Sequence, residues 1–453
     1  MSRKRRFQQK PEPVTVRIEA MSHEGRGITH INGKTVFVFG ALQGEWVSIQ
    51  IQKSSRQFDQ ATTLKVIEAS PQRIEPECAA FQHCGGCSLQ HLSSDQQIQL
   101  KQNVLLEMMQ HAGVEVSEII EPLKATPWGY RRKARLGVKY VRKKKRVLVG
   151  FRERHSAFLA DIAQCEVLVP QVGHHLTGLA RLIESLEARE SIPQIEVAAD
   201  EVQTQLVFRH LAALSDTDQE KLINFAKQSG FWIQLQPGGP DSVCNLYPAQ
   251  QRLSFSPEAD SDIHIHFTAG DFVQVNHTIN QKMVAQALDL LDLQSEDCVL
   301  DLFCGLGNFT LPMARRCRTV VGVEGDQAMV RRAKTNALAQ QIENTLYFAA
   351  DLTQTDDDWP WMQQHFDKIL LDPPRSGAME IARIIARFKA QTIVYISCQP
   401  SSLVRDSQII CNSGYKLTRL GIIDMFPQTA HVESMAVFQC ATQLTYCKPR
   451  SGD

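Results

Sequence analysis

The chain has 453 residues, 43% hydrophobic and 22% charged, which excludes wholesale disorder and is too long for one compact domain. No apolar run approaches the roughly 18 residues of a membrane span. Lys+Arg and Asp+Glu number 49 each, and zero net charge taken alone argues against a polyanionic partner. The balance is uneven, however. Residues 1–155 hold 26 basic against 14 acidic side chains, and the remainder 23 against 35. A basic front on an acidic remainder is the pattern of a polyanion-binding module fused to something else. The 12 cysteines do not read as a secreted disulfide scaffold. The chain is long, the basic start MSRKRRFQQKPEP lacks an apolar signal core, and most cysteines are scattered singly. A reducing, cytoplasmic location is expected.

Residues 1–13 read as a basic, Pro-bearing tail, either solubilising or touching nucleic acid. From Val14 to about Ala69 apolar and polar residues alternate in short strands, with turns at Glu24-Gly25 and Asn32-Gly33-Lys34. About five such strands suggest a small OB-like barrel, a common nucleic-acid platform. Cys78, Cys84 and Cys87 then cluster. Ser93-Ser94-Asp95 can cap a helix through about His111, with Leu100, Val104, Leu105 and Met108 on one face and Gly113 ending it. From Trp128 to about Phe267 the pattern is β-rich with inserted helices. Its strands LGVKYV and RVLVGF flank the basic run Arg142-Lys143-Lys144-Lys145-Arg146. From about Gly270 continuous apolar runs alternate with helical segments, which predicts a parallel, doubly wound sheet.

Asp301-Leu302-Phe303-Cys304-Gly305-Leu306-Gly307-Asn308-Phe309-Thr310 follows the first of those runs. Glycines at a strand–helix turn admit a ligand close to the backbone. A dinucleotide fingerprint needs a third glycine where Thr310 stands, so Asp-x-x-x-Gly-x-Gly points to S-adenosylmethionine instead. Glu324 ends the next strand, about 20 residues on, where a carboxylate can accept ribose hydroxyls. Asp351 is placed to meet an adenine edge. Asp372, in Leu371-Asp372-Pro373-Pro374-Arg375, ends the fourth strand.

Cys398, in Ile396-Ser397-Cys398-Gln399-Pro400, closes another strand on the same sheet edge. A thiol beside a methyl-donor site is a candidate nucleophile. Pyrimidine C5 becomes nucleophilic after a thiolate adds at C6, and a base must later remove the C5 proton. Glu433 can serve if burial raises its pKa, with His431 as the competing base. Cys78-x5-Cys84-x2-Cys87 supplies three thiolates, and Cys165 is the nearest downstream fourth. Four cysteines can hold zinc or an iron–sulfur cluster, and a single C-x2-C favours the cluster. The other seven (Cys244, Cys298, Cys304, Cys317, Cys411, Cys440 and Cys447) read as packing residues.

Together these motifs resemble the RNA uracil-C5 methyltransferases over most of the chain. The resemblance implies an α/β protein with three parts: an N-terminal TRAM barrel over 14–70, a central β-rich iron–sulfur domain from 71–92 and 125–268, and a Rossmann-like S-adenosylmethionine-dependent methyltransferase domain from 93–124 and 269–453. It implies Cys78, Cys84, Cys87 and Cys165 as [4Fe-4S] ligands. Gln274, Phe303, Asn308, Glu324, Asp351 and Asp372 would contact the methyl donor, with Cys398 as nucleophile and Glu433 as base. Tyr130-Arg131-Arg132-Lys133-Ala134-Arg135 and residues 142–146 would meet RNA backbone. Barrel and cluster together imply the branch that modifies a uracil in a 23S rRNA loop. Methylation of tRNA, a dual-site rRNA enzyme and a non-catalytic iron–sulfur RNA-binding protein are the alternatives. Family members usually carry Ser-Cys-Asn-Pro, and here Gln399 replaces the Asn.

Overall fold

The computed structural model describes residues 12–154 and 156–441. The expectations for most of the basic tail and for Cys447 lie outside the described residues. Six strands open the fold: β1 (Val14–Arg17), β2 (Ala20–Met21), β3 (Gly27–Ile31), β4 (Lys34–Phe39), β5 (Trp46–Ser54) and β6 (Phe58–Glu68), in the order β1-β5-β6-β4-β3-β2. Val16, Val36, Val38, Val47, Ile49 and Ala61 point inward at every second position and form their core. The β3–β4 hairpin turns on Asn32 and Gly33, both at positive φ (51° and 79°), the conformation a two-residue hairpin turn requires.

Helix α1 (Ser94–His111) follows, and Gly113 ends it at φ 69°. Ser93 occupies the N-cap but its side chain caps nothing. The buried face also differs from the expected one. Gln97, Ile98, Lys101, Leu105 and Met109 are buried, whereas Leu100, Val104 and Met108 stay partly exposed. The helix docks through two polar side chains that find partners elsewhere, so apolar spacing alone mislocates the face.

After β7 (Glu118–Ile119) come β8 (Lys133–Val141), β9 (Arg146–Gly150), helices α2 (Pro170–Gly173) and α3 (Leu176–Ser185), β10 (Gln194–Ala199), β11 (Thr204–Arg209), α4 (Asp216–Ser229), β12 (Trp232–Gln236) and β13 (Cys244–Tyr247). Their sheet runs β13-β12-β11-β10-β8-β9, with Leu179, Ile183 and Leu222 of the helices buried against Leu136, Val138, Leu206 and Phe208. A hairpin of β14 (Leu253–Phe255) and β15 (Ile265–Phe267) leads to α5 (His277–Leu291).

The last sheet has eight strands. Chain order gives β16 (Cys298–Leu302), α6 (Thr310–Ala314), β17 (Thr319–Glu324), α7 (Gln327–Ala339), β18 (Thr345–Ala349), β19 (Lys368–Leu371), α8 (Met379–Ile384), β20 (Thr392–Ser397), α9 (Pro400–Asn412), β21 (Tyr415–Ile423) and β22 (Glu433–Cys440). The spatial order is β18-β17-β16-β19-β20-β22-β21-β7. Neighbours along each strand face opposite layers. Val299 and Leu370 join the core with α5, while Leu300 and Ile369 join the core with α1 and α8. Burial on both faces explains the continuous apolar runs.

The expectation of a parallel sheet needs one correction, because β22 runs antiparallel to both β20 and β21. Residues 424–432 between β21 and β22 form no crossover helix, and a connection of that length favours an antiparallel return. The two-residue β7 adds to the sheet edge beside β21, and Asp424 N–H bonds Leu123 O at 2.9 Å.

Candidate functional site

The loops after parallel strands β16, β17, β18, β19 and β20 share one sheet edge, where ligands of open α/β sheets bind. Because β22 is antiparallel, its first residue, Glu433, lies on that same edge. Phe303 leaves β16 at φ 65°, with Gly305 at 56° and Gly307 at 95°. A bulky residue in the left-handed region is uncommon and costs about 1–2 kcal/mol. The turn brings Gly305 N–H onto Glu324 Oε2 at 3.1 Å, while Glu324 Oε1 accepts Asp326 N–H at 3.0 Å. A Cβ on Gly307 would lie 3.2 Å from Leu311 Cγ at a φ hostile to side chains. Gly307→Ala is therefore expected to cost about 1–2 kcal/mol in stability and to weaken S-adenosylmethionine binding measured by calorimetry.

Asp301 is fully buried and accepts Thr310 Oγ1 at 2.5 Å. Burial pushes its carboxyl up to about 7, and the charges of Asp372 and Glu324 add to the rise. Asp372 keeps slight exposure, yet desolvation of its carboxyl also raises it to about 7. Asp351 differs from its neighbours. It is exposed and holds its own turn, accepting Thr353 N–H at 3.0 Å, Thr353 Oγ1 at 2.7 Å and Gln354 Nε2 at 3.1 Å. Asn308 exchanges amide bonds with Asn280 of α5 at 2.9 and 3.0 Å. Gln274 is nearly buried, and its carbonyl accepts Arg132 Nε at 2.9 Å.

Ser397 pairs with Ser434 at the end of the β20–β22 ladder, so Cys398 and Glu433, each the next residue out, lie at the same end of it. Burial pushes the Cys398 thiol up to about 11, and the Glu433 and Asp372 carboxylates add to the rise. Glu433 is 6% exposed and its Oε2 has no hydrogen-bond partner. Burial pushes its carboxyl up to about 8, with Asp372 adding and Lys101 opposing. His431 is exposed, its ring tilted against Phe426 with centroids 5.4 Å apart. Gln399 caps no helix turn with its side chain and donates to Ser401 Oγ at 3.0 Å.

The segment before Glu433 is heavily braced. Gln428, at φ 67°, has its carbonyl bonded by Ser88 N–H (2.8 Å) and Leu89 N–H (3.0 Å). Ser88 Oγ accepts Ala430 N–H at 3.0 Å, and Tyr130 OH donates to Pro427 O at 2.9 Å. Gln97 Nε2 donates to Gln428 Oε1 at 3.0 Å while its Oε1 accepts Gln428 N–H at 2.8 Å. Lys101 Nζ donates to Asp424 Oδ1 at 2.6 Å and to Phe426 O at 3.0 Å.

Cys78, Cys84, Cys87 and Cys165 line one cavity of about 230 Å³ together with Gly85, Gly86, Thr429 and His431. Burial pushes the Cys87 thiol up to about 12, and the other three sulfurs add to the rise. Among the described residues no three His, Cys, Asp or Glu side chains converge tightly enough for a single metal ion. Arg154 lies 3.5 Å over the Phe39 ring of β4 and donates to Cys84 O at 3.0 Å and to Cys87 O, tying the barrel to this loop. Cys304 and Cys317 are buried as packing residues should be, but Cys244 is exposed.

The basic runs are partly consumed inside the fold, contrary to expectation. Arg132 is 2% exposed, and Lys133 donates to Asp271 O. The hairpin run stays exposed, with Arg142 paired to Glu190 and Lys144 and Arg146 to Asp161 at the surface.

The family model for tRNA (uracil-5-)-methyltransferases matches residues 249–440, and that for the TRAM domain matches 11–64. The 23S rRNA (uracil(1939)-C(5))-methyltransferase RlmD of Alkalilimnicola ehrlichii is 49% identical over 95% of this chain and 98% of its own. The chain belongs to the RNA uracil-C5 methyltransferase family. The RlmD of Hahella chejuensis is 48% identical over 97% of this chain and 100% of its own. The Pyrococcus abyssi tRNA (uracil-54, C5)-methyltransferase, solved with S-adenosyl-L-homocysteine, superposes at a TM-score of 0.72. It covers 94% of this chain and 100% of its own at 20% identity, a likeness of fold.

Within this methyltransferase the bracing residues Gln97, Lys101, Tyr130 and Asp424 carry no motif. Two polar side chains four apart on a helix, with apolar neighbours, were the one signal in the sequence.

Proposed function

We propose that the protein transfers a methyl group from S-adenosylmethionine to C5 of uracil 1939 of 23S rRNA, the position in the names of its relatives. The observation that carries this reading is that Cys398 and Glu433 flank the end of the β20–β22 ladder, where Glu433 acts on the thiol, on the edge that also holds Asp301, Glu324 and Asp372. Asp372 and Glu324 both act to raise the Asp301 carboxyl, and an acidic cluster of this kind favours a cationic ligand such as a sulfonium donor.

When bound, S-adenosylmethionine supplies an electrophilic methyl group. Gln274, Phe303, Asn308, Glu324, Asp351 and Asp372 are the residues proposed to hold it. Glu324 keeps two backbone bonds while lining the glycine turn, so its orientation is fixed in advance. The deprotonated sulfur of Cys398 adds to C6, which makes C5 enolate-like and able to take the methyl group. Glu433 then removes the C5 proton, the C5–C6 double bond re-forms and the C6–sulfur bond breaks. A dry carboxylate whose pKa has risen toward the working pH suits that step.

Cys78, Cys84, Cys87 and Cys165 are proposed to hold a [4Fe-4S] cluster. Each thiolate of such a cluster takes a different iron, so its ligands stand further apart than those of one ion. Four sulfurs around one cavity, with Gly85 and Gly86 leaving it open, fit that requirement. The cluster would organise the loop that bonds Gln428 and so support the edge carrying Glu433. Cys84→Ser is expected to lose iron and to melt at lower temperature. Equal iron in variant and parent would overturn this assignment. The N-terminal barrel, the half-buried Arg131 and the exposed Arg135 are proposed to meet RNA backbone. No helix among the described residues is long and apolar enough to cross a membrane, and a cytoplasmic site of action is proposed.

Mass mapping of methylated uridine in RNA from cells lacking the protein tests the function. Loss of the methyl group at 23S uracil 1939 alone is expected. Loss from tRNA, or at a second rRNA position, would replace this reading with one of its alternatives.

A further inference from the structure

Lys101 is a buried cation far from any motif. Its side chain is 1% exposed, its ion-pair partner Asp424 3%. Burying two charges costs several kcal/mol each before their attraction is counted, and apolar side chains often serve stability as well. A buried pair kept at a catalytic edge therefore invites a functional explanation. Its geometry offers one. Asp424 directly follows β21, and Phe426 O takes the second Lys101 bond, so one ammonium group holds two points of the segment leading into Glu433. Gln97, one helical turn earlier, holds Gln428 of the same segment.

The charges that act on Glu433 are Asp372 after β19 and Lys101 on α1. Cys398 after β20 feels Glu433 in turn, and Asp424 after β21 is the partner of Lys101. Arg375 acts on Cys398 and, with Arg131, on the exposed His431 of the same segment. Lys101 is the cation that opposes the burial keeping Glu433 protonated.

We propose that Lys101 is a positioning residue for proton removal, fixing the segment before Glu433 and setting the pH at which that carboxylate becomes available. The inference rests on Glu433 being the base. The proton passes from C5 of the methylated adduct to a Glu433 oxygen. The C–H electron pair forms the C5–C6 double bond, and the C6–sulfur pair returns to Cys398. Without the ammonium group, the ionised form of Glu433 loses its nearby cation and the step waits for a higher pH. Without the Asp424 charge, Lys101 loses the acid that opposes its own desolvation, so its charge beside Glu433 weakens and the step again waits for a higher pH.

The test follows decay of the covalent protein–RNA adduct in single turnovers across pH, using the full-length protein, S-adenosylmethionine and a 23S rRNA fragment. The parent midpoint should lie near pH 8. Lys101→Met should raise it by about one unit, lengthening adduct life about tenfold at pH 7. Lys101→Gln keeps a donor for Asp424 and Phe426 O while removing the charge, and should shift the midpoint likewise if Lys101→Met folds poorly. Asp424→Asn should raise the midpoint in the same direction, because it weakens the Lys101 charge. A merely structural pair would slow these variants without moving the midpoint, and unmoved midpoints in Lys101→Gln and Asp424→Asn would overturn the proposal. Glu433→Gln run in parallel separates the two readings. If it decays normally, Glu433 is not the base. If it stalls while the Lys101 and Asp424 variants keep the parent midpoint, only the role of Lys101 falls.

Discussion

Cys398→Ala protein should fold normally and transfer no methyl group, with activity down by about 10⁴-fold or more, the scale on which removing a covalent nucleophile acts. The thiol is not a packing element whose loss would explain such a fall. It sits past the end of β20, partly exposed at the rim where Asp372 and Glu433 both act on it. Its pKa of about 11 means that the resting protein holds a thiol, so alkylating agents should react slowly below that pH. RNA carrying 5-fluorouracil gives the sharper readout. Fluorine at C5 cannot be abstracted as a proton, so the parent should accumulate a methylated adduct that survives denaturing electrophoresis. The alanine variant should form none. An adduct persisting in Cys398→Ala would transfer the role to another nucleophile.

Glu433→Gln should trap the same adduct on ordinary uracil, with turnover lowered by about 10²–10⁴-fold, the usual weight of general acid–base catalysis. In the parent, adduct decay should rise with pH through a midpoint near 8, where the buried carboxyl ionises, and level off above it. The substitution should also reveal a stability effect of definite sign. Folding raises the pKa of Glu433 above its ordinary value of 4.5. Below about pH 4.5 both states are protonated and burial of the carboxyl carries no ionic penalty. As pH climbs through about 8, the native state must ionise a desolvated group and loses stability relative to the unfolded chain. Glu433→Gln should therefore melt higher than the parent at pH 9, by at least about 2 °C, and lose that advantage at pH 4. Equal melting curves at both pH values would show that Glu433 is solvated in the native protein.

Much of this edge was legible because its parts are local. Apolar runs ending in Asp301, Glu324, Asp372 and Cys398 announce strand termini, and strand termini on one sheet converge. Glu433 was legible for the same reason, as an acid directly before an apolar run. The direction of β22 was less so, since the segment from 424 to 432 reads as a loop whichever way the strand returns. Asp351 also has a local partner set that position alone did not announce. It stands at a strand end like its neighbours, but Thr353 and Gln354, two and three residues on, already occupy its oxygens. Arg132 and Lys133 looked like RNA contacts because their partners, Gln274 O and Asp271 O, lie about 140 positions away. What Gln97 and Lys101 bond to was illegible for that reason on a larger scale, although two polar residues four apart hinted at their shared helix face. Their partners stand 331 and 323 positions downstream, and no local pattern encodes a separation of that length.

Those separations have a consequence for synthesis. Chains emerge from the ribosome N-terminus first, and a contact across three hundred residues closes late and slowly. While the middle of the protein is being made, Gln97 and Lys101 of α1 have no partners, and the sheet edge that β21 and β22 will complete is open. The barrel, whose six strands all lie before Ser70, can be finished long before. A nascent chain thus owns its front module but lacks the corner where Cys398 meets Glu433. Ribosomes that stall or release the chain before residue 424 would yield fragments without a working methyl-transfer edge, so premature products of this gene should be chemically silent toward RNA.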